Sequence, residues 1–216
     1  VFVPVEQTDE FVDVVRETFV RMFPAIAANA DYCSSVNQAN FDRVVALIED
    51  ARGKGARVDS VVPPGEALPD RRSRKIAPTI LQDVDHSMRI ASEETFGPVL
   101  TVEPYERLSD VVDYINSRPS PLVAYWFGPD DADFRSFVRH TRSGGVARND
   151  FAAQMIPSAA PFGGVGRSGM GAYHGRAGFD AMSKRLAVLW QSRWAASDRL
   201  RPPYSKIAGL LKLLLR

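Results

Sequence analysis

The sequence predicts an α/β fold in which a mainly parallel sheet is flanked by helices. Short apolar runs alternate along the chain with segments whose apolar residues recur at helical spacing, as in βαβ units. The run Leu122–Phe127 is almost continuously apolar, which is typical of a strand covered on both faces. A chain of 216 residues, 45% of them apolar, can bury a hydrophobic core, and neither a repeat nor a linker divides it. We therefore expect one main domain followed by a tail.

The first quarter of the chain predicts a strand and two helices. Val1–Val5 is a short β-branched run and predicts a buried strand. Thr8 opens the first helix, because two acidic residues follow it in the first turn, where negative charge suits the helix dipole. The apolar face of this helix is formed by Phe11, Val15, Phe19 and Met22. Asn37 is a cap for the second helix, which ends at Gly53 or Gly55 and has a buried stripe of Phe41, Val44, Val45 and Ile48.

Strands and helices continue to alternate beyond a loop at Pro63–Lys75, which is rich in proline, glycine and charge. The predicted strands are Val58–Val62, Thr79–Leu81, Val99–Val102, Leu122–Phe127 and Gly145–Arg148. The predicted helices are Leu108–Ile115 and Asp130–Thr141, the second with Phe134, Phe137 and Val138 facing inward.

The last third of the chain departs from this alternation. Pro161–Gly178 is dense in glycine and has no hydrophobic period, so we expect a structured loop. Ala187–Trp190 is a candidate late strand, and Ser205–Arg216 a candidate amphipathic helix. We divide the chain into a main domain at residues 1–185, an extension with this strand at 186–204 and a helical tail at 205–216.

Composition excludes several classes of protein. The net charge of +1 gives no electrostatic reason to expect nucleic-acid binding. The single cysteine rules out an internal disulfide and fits a reducing compartment. Neither a signal peptide nor a membrane span is visible. Because the chain opens inside a strand without an initiator methionine, we expect it to be part of a longer protein, although signal-peptide removal or a tag-free preparation would look the same.

The segment Glu93–Pro98 carries the most chemical information. A carboxylate accepts hydrogen bonds from two adjacent ribose hydroxyls, and an aromatic ring two residues later can form one wall of a nicotinamide pocket. The Gly-Pro pair then forces a tight exit into the next strand. From the residues alone, a helix end with solvated glutamates is the more common explanation, and it stays open at this point.

Other candidate motifs indicate less about the chemistry of the protein. Gly164, Gly166 and Gly169 spell G-x-G-x-x-G, but no strand leads into them and no acidic residue follows at about 20 positions, so we reject a dinucleotide-phosphate site. Close backbone approach explains these glycines better. The only thiol, Cys33, has no neighbouring base and is predicted to be a small packed residue. The three histidines lack metal-site spacing, and the basic run 71–75 is predicted to be a solvated loop with at most a phosphate contact.

Four segments in register resemble the aldehyde dehydrogenase superfamily, over Val1 to about Tyr204. They are Ala77–Leu81, Glu93–Leu100, Ser143–Val146 with Asn149-Asp150, and Pro161–Gly164 with Ser168–Gly171. The Tyr-His-Gly sequence at 173–175 and the Arg-Pro-Pro-Tyr sequence at 201–204 are similar to the class 3 branch, and more closely to bacterial coniferyl aldehyde dehydrogenases.

The resemblance implies oxidation of an aldehyde, including aromatic aldehydes of the coniferyl type, to a carboxylic acid with NAD or NADP. Carried over by position, Glu94 holds the nicotinamide ribose, Phe96 lines the nicotinamide pocket and Phe162 lines the aldehyde tunnel. Residues 1–185 then form part of a catalytic domain, and 186–204 include the strand that joins subunits. The resemblance also implies a cytoplasmic homodimer or homotetramer, without nucleic-acid or membrane partners.

The departures from the family pattern limit what this chain can do alone. In the family a cysteine thiolate attacks the aldehyde, a glutamate activates water and an asparagine stabilises the oxyanion, and all three lie before the position of Val1 together with the Rossmann domain. No catalytic residue can therefore be assigned here, and the chain is expected to be inactive by itself. Two alternatives stay open. One is a non-catalytic remnant that acts as an oligomerisation or binding module, and the other is a peripheral membrane module that uses Lys206, Lys212 and Arg216 around Leu210–Leu215.

Overall fold

The computed structural model describes residues 1–191 together with Arg193 and Pro202. Seven strands and five α-helices occur in this part of the chain. The strands are β1 Phe2–Pro4, β2 Arg57–Ser60, β3 Thr79–Gln82, β4 Val99–Thr101, β5 Glu103–Tyr105, β6 Ala124–Trp126 and β7 Val146–Arg148. The helices are α1 Thr8–Met22, α2 Gln38–Gly53, α3 Leu108–Asn116, α4 Ala132–His140 and α5 Gly175–Ala181. Short 3₁₀ turns lie at Val5–Gln7, Arg89–Ala91, Ala153–Met155 and Gly166–Ser168.

Parallel pairing dominates among the described strands, which confirms the predicted α/β class. β1 pairs with β5, β3 with β4 and β6 with β7 in parallel, whereas β2 runs antiparallel to β3. The strands form three small sheets rather than one continuous sheet. The chain changes sheet at Val102, because the Val102 amide donates to Leu81 of β3 and the next amide, that of Glu103, donates to Val1 beside β1.

The buried strand β3 separates two layers of the core. Ile80 packs with Val3 and Val12 on the α1 side, while Leu81 packs with Leu47 and Met88 on the α2 side. Successive side chains of a strand point to opposite faces, so a four-residue strand with every residue buried must be covered on both sides. The packing on both faces of β3 therefore fixes α1 and α2 relative to the loops at the ends of this strand.

Helix α2 begins and ends close to where the sequence predicts. The Asn37 side chain accepts a hydrogen bond of 2.8 Å from the Asn40 amide, as expected of a cap. The predicted stripe is confirmed for Phe41, Val44 and Ile48, which are buried with Ile76. Because α2 is capped and packs one face into the core, it is a rigid support for the loops that its other side chains contact.

The segment between α1 and α2 is held against the loop 63–76 by two side chains of that loop, Glu66 and Lys75, and by one of its own, Tyr32. Lys75 is only 7% exposed, and its ammonium donates to the carbonyls of Ile26 and Asn29 at 2.8 and 2.5 Å. Glu66 accepts from the Ile26 amide at 3.0 Å, and the Tyr32 hydroxyl donates to the Ile76 carbonyl at 2.6 Å. The prediction of a solvated basic run is thus wrong for Lys75, because two carbonyls of this turn provide buried acceptors for its ammonium group.

Several predicted apolar positions face outward instead. Leu122 and Phe127, the ends of the predicted strand, lie outside β6 and are exposed, so the apolar run is not covered on both faces along its predicted length. The cause is that only β7 pairs with β6 in the described structure, which leaves the ends of the run without neighbours. Val138 in α4 and Met22 in α1 are also exposed, whereas Phe137 is buried as predicted.

The stretch around and beyond the end of the main domain differs most from prediction. Ala187–Trp190 has no strand, and Leu189 is 97% exposed, because no described segment offers this stretch an edge with which to pair. Helix α5 occupies the last part of the predicted loop Pro161–Gly178. The predicted tail helix 205–216 lies outside the described residues. None of the helices within the described ranges is both long and apolar enough to cross a membrane.

Candidate functional site

The segment Glu93–Pro98 is an exposed loop between the 3₁₀ turn Arg89–Ala91 and β4, rather than the end of an α-helix. Its two glutamates have different environments. Glu93 forms a two-pronged ion pair with Arg89 at 2.7 and 3.0 Å, and this hydrogen-bonded pairing lowers the pKa of Glu93. The neighbouring Glu94 is exposed, and its carboxylate makes no hydrogen bond or ion pair with any residue in the described part of the chain. Only Glu94 therefore has a carboxylate available to an external ligand.

The backbone of this loop is fixed from helix α2. Arg43 donates to the carbonyls of Glu94 and Thr95 at 2.6 and 2.7 Å, and the Asn40 amide group donates to the Phe96 carbonyl at 3.0 Å. Phe96 has a φ of 46°, a left-handed conformation that is unusual for an aromatic residue. Its side chain is 67% exposed although it is large and apolar. The loop thus presents a free carboxylate and an open aromatic face from a constrained backbone.

A cavity of about 580 Å³ opens beside Phe96. Its lining comes from the 31–36 turn, helix α2 and the loop itself, and includes Tyr32, Cys33, Asn40, Phe96 and Gly97. Cys33 is exposed, so the prediction of a packed cysteine is wrong; the turn places it at the cavity surface instead of in the core. Among the described residues, the lining contains no His, Lys or Arg, the residue types that activate a thiol.

Phe162 lies in a different part of the molecule. Its backbone exchanges hydrogen bonds of 3.0 and 2.9 Å with Tyr173, and its ring stacks on His174 with centroids 6.2 Å apart. Tyr173 meets both rings edge-on. His174 adopts a left-handed φ of 77°, and its Nδ1 atom is buried without a hydrogen-bond partner among the described residues. These contacts hold the half-buried Phe162 ring in one place.

Close backbone packing, which the sequence predicts for Gly164, Gly166 and Gly169, is found at Gly164 and Gly169. It is wrong for Gly166, where a Cβ atom would meet nothing within 4 Å among the described residues and the positive φ of 64° is what favours glycine. A Cβ atom on Gly163 would lie 2.1 Å from the Gly171 carbonyl oxygen, and one on Gly164 would lie 2.1 Å from that of Ser168. Gly144 touches the same region, since its Cβ would lie 2.2 Å from the Gly163 carbonyl oxygen. Two segments that resemble family motifs, Ser143–Val146 and Pro161–Gly164, therefore meet in space.

Of the residues predicted for the site, the structure brings Glu94 and Phe96 together in one loop, whereas Phe162 does not line the cavity beside Phe96. Sequence reasoning missed Asn40 and Arg43. The available signal was their position, three and six residues after the Asn37 cap, which places two polar groups on successive turns of the helix. Within the described ranges, no group of three or more His, Cys, Asp or Glu residues is arranged to hold a metal ion.

Comparison with known proteins places these features in a family. The model of the aldehyde dehydrogenase family matches residues 1–188. The chain is 42% identical to a probable coniferyl aldehyde dehydrogenase of Caulobacter vibrioides, over 99% of this chain and 44% of that protein. It is 41% identical to a coniferyl aldehyde dehydrogenase of a Pseudomonas species, over 100% of this chain and 45% of that protein.

Solved structures agree with the sequence comparison. A substrate-bound Staphylococcus aureus AldH superposes with a TM-score of 0.77 at 29% identity, over 100% of this chain and 45% of that one. A Mycobacterium tuberculosis aldehyde dehydrogenase in complex with NAD⁺ superposes with a TM-score of 0.74 at 26% identity, over 90% of this chain and 40% of that one. The chain thus spans less than half the length of these relatives. The family match over residues 1–188 shows that the chain belongs to the aldehyde dehydrogenase family.

Proposed function

We propose that this chain is the C-terminal part of an NAD(P)-dependent aldehyde dehydrogenase that oxidises aldehydes, including aromatic aldehydes of the coniferyl type, to carboxylic acids. The single observation that carries the proposal is the loop Glu94–Phe96, which holds a free carboxylate two residues from an exposed aromatic ring. Similarity over nearly the whole chain to two proteins with coniferyl aldehyde dehydrogenase names supports the substrate class.

In this proposal each site residue has one task. The Glu94 carboxylate accepts hydrogen bonds from the two hydroxyls of the nicotinamide ribose, and the Phe96 ring covers one face of the nicotinamide. Phe162, held by Tyr173 and His174, lines the path of the aldehyde. The bound cofactor, NAD⁺ or NADP⁺, accepts the hydride that the aldehyde loses on oxidation. The nucleophile and the general base come from residues that this chain does not contain.

The fit of the loop to the cofactor has a physical basis. A carboxylate that pairs with a neighbouring arginine, as Glu93 does, would have to break that pair before it could bind a ribose. Glu94 has no such partner in the part of the chain that the structure describes. An apolar ring that is 67% exposed contacts water at a cost that stacking on a planar ligand would remove.

A second candidate function is that of an oligomerisation or binding module without catalysis. It is favoured by the exposure of consecutive apolar side chains near the end of the described structure, namely Leu186, Val188, Leu189 and Trp190. In the leading proposal the same residues contribute to a homodimer or homotetramer of the complete enzyme. We place the protein in the cytoplasm, on the basis of its single, unpaired cysteine.

Assays of two forms of the protein test the proposal. The full-length protein that contains this chain should reduce NAD⁺ or NADP⁺ when given a hydroxycinnamaldehyde, and a panel of aliphatic aldehydes will define its range. The isolated 216-residue chain should give no turnover with any combination of aldehyde and cofactor, because it lacks an activated thiolate. A full-length protein inactive with all aldehydes would favour the binding module. Turnover by the isolated chain that is lost on Cys33→Ser would show that the role of the thiol was misassigned.

A further inference from the structure

Three consecutive backbone carbonyls of the loop, those of Glu94, Thr95 and Phe96, accept hydrogen bonds from side chains of one helix. Arg43 provides two of these bonds through different nitrogens of its guanidinium group, and Asn40 provides the third. The loop is therefore held at three successive peptide groups, from a single rigid element.

The two side chains also hold each other. The Asn40 amide oxygen accepts a hydrogen bond of 2.7 Å from Arg43, while the nitrogen of the same amide donates to Phe96. Asn40 in turn lies one turn after the cap residue, whose side chain binds its backbone amide. Because the two planar groups bind the loop and each other, neither has much rotational freedom.

The conformation of the loop requires such support. Phe96 lies in the left-handed region, where a residue with a bulky side chain is unfavourable and persists only if the surroundings impose it. Its neighbour Gly97 is pressed against Val44 of the same helix, at a distance that leaves no room for a side chain. Helix α2 thus fixes the loop from both ends, and it thereby determines where the exposed side chains of Glu94 and Phe96 lie.

We propose that Arg43 and Asn40 are positioning residues, which act through the carbonyls of Glu94, Thr95 and Phe96 to hold the carboxylate and the aromatic ring where a nicotinamide riboside meets both. The inference rests on the proposed function for its consequence in catalysis. The clamp, by which we mean the three hydrogen bonds from Arg43 and Asn40 to the loop carbonyls, is itself a property of this chain. Because a misplacement of about 1 Å can cost about 100-fold in rate, loss of the clamp will slow hydride transfer more than it weakens cofactor binding.

Three variants of the full-length protein test the inference. Arg43→Met removes two of the loop bonds at similar side-chain length. Asn40→Asp removes the donor to Phe96 but keeps an acceptor for Arg43, and it adds a negative charge in the first turn of α2, where the helix dipole favours it. Arg52→Met is the matched control, since Arg52 lies on the same helix in an exposed pair with Glu49.

Two readouts separate positioning from general stability. Hydrogen exchange of peptides spanning residues 93–99, measured without cofactor, should be faster in Arg43→Met and Asn40→Asp than in the parent, and unchanged in Arg52→Met. The single-turnover rate of NAD(P)H formation should fall by about 10- to 100-fold in Arg43→Met, while the KM for the cofactor changes by less than about 3-fold. Arg43→Lys, which can reach one carbonyl but not two, should restore part of the rate.

The inference is overturned if loop exchange stays at the parent level in Arg43→Met, or if that variant raises only the cofactor KM. It is equally overturned if Arg52→Met produces the same changes, since the effect would then be one of helix stability. An inactive parent protein would refute the proposed function, yet hydrogen exchange would still decide whether the clamp holds the loop.

Discussion

Replacing Gly144 by alanine should lower the free energy of unfolding by about 3 kcal/mol or more, because the new methyl group has no space. Its Cβ would lie 2.2 Å from the Gly163 carbonyl oxygen and 2.7 Å from the Leu122 carbonyl oxygen. Both obstacles are backbone atoms, so no side-chain rotation can relieve the overlap, and the loop that carries Phe162 would have to move away. Urea-induced or thermal unfolding of the full-length protein measures the loss.

The neighbouring Gly145 provides the matched control. A Cβ atom at this position meets no atom within 4 Å, and the backbone is not in a left-handed conformation. Gly145→Ala should therefore change the free energy of unfolding by no more than about 1 kcal/mol. We expect this change to be a small increase in stability. Equal effects of the two substitutions would contradict the close packing between Ser143–Val146 and Pro161–Gly164.

Gly97→Ala should have the second large effect, on the loop that presents Phe96. The added Cβ would lie 2.8 Å from both methyl carbons of Val44, which is fully buried and has a stiff, β-branched side chain. We expect a loss of about 2 kcal/mol in stability and a fall of at least about 10-fold in the single-turnover rate, since relief of the overlap moves the loop.

Here the obstacle is a side chain, so a second substitution can remove it. Val44→Ala alone should destabilise the protein by about 1 to 2 kcal/mol through loss of buried methyl groups. The double variant should be more stable than the sum of the two single effects predicts, by at least about 1 kcal/mol. Strictly additive effects would mean that Gly97 and Val44 do not constrain each other.

Local sequence signals predict the elements that local chemistry determines. The limits of α2 follow from the Asn37 cap and the spacing of Phe41, Val44 and Ile48, and both are confirmed. The alternation of strands and helices correctly predicts a mainly parallel arrangement. Close backbone packing is also predicted for Gly164, Gly166 and Gly169, because no strand leads into this G-x-G-x-x-G segment, and it is confirmed for Gly164 and Gly169 but wrong for Gly166.

Features that depend on distant partners could not be predicted. Lys75 lies in a charged run that is typical of a solvated loop, and only the tertiary fold brings the carbonyls of Ile26 and Asn29 to its ammonium group. Ala187–Trp190 has the composition of a strand, but composition does not supply an edge with which to pair. The bonds from Arg43 to the loop join residues about 50 positions apart, beyond the range of any local pattern.

The assignments of Glu94, Phe96 and Phe162 stay predictions, and they concern two separate loops. Glu94 and Phe96 share a loop whose backbone is held at three carbonyls, so their relative position is well defined. Phe162 is held by its own aromatic neighbours in a separate loop. Its proposed contact with the aldehyde therefore requires that the complete enzyme bind the aldehyde between this loop and the loop of Glu94 and Phe96.

Substitution of the two adjacent glutamates in the full-length protein tests the central claim most directly. The Glu94 carboxylate has no hydrogen-bond partner in the described structure, whereas Glu93 pairs with Arg89. Charge-assisted bonds to the ribose are worth about 1.5–3 kcal/mol, so Glu94→Gln should lower the single-turnover rate of NAD(P)H formation by about 10- to 100-fold at saturating cofactor. Glu93→Gln should stay within about 3-fold of the parent. Unchanged rates in Glu94→Gln across a full cofactor titration, or equal losses in both variants, would contradict the claim that Glu94 holds the nicotinamide ribose.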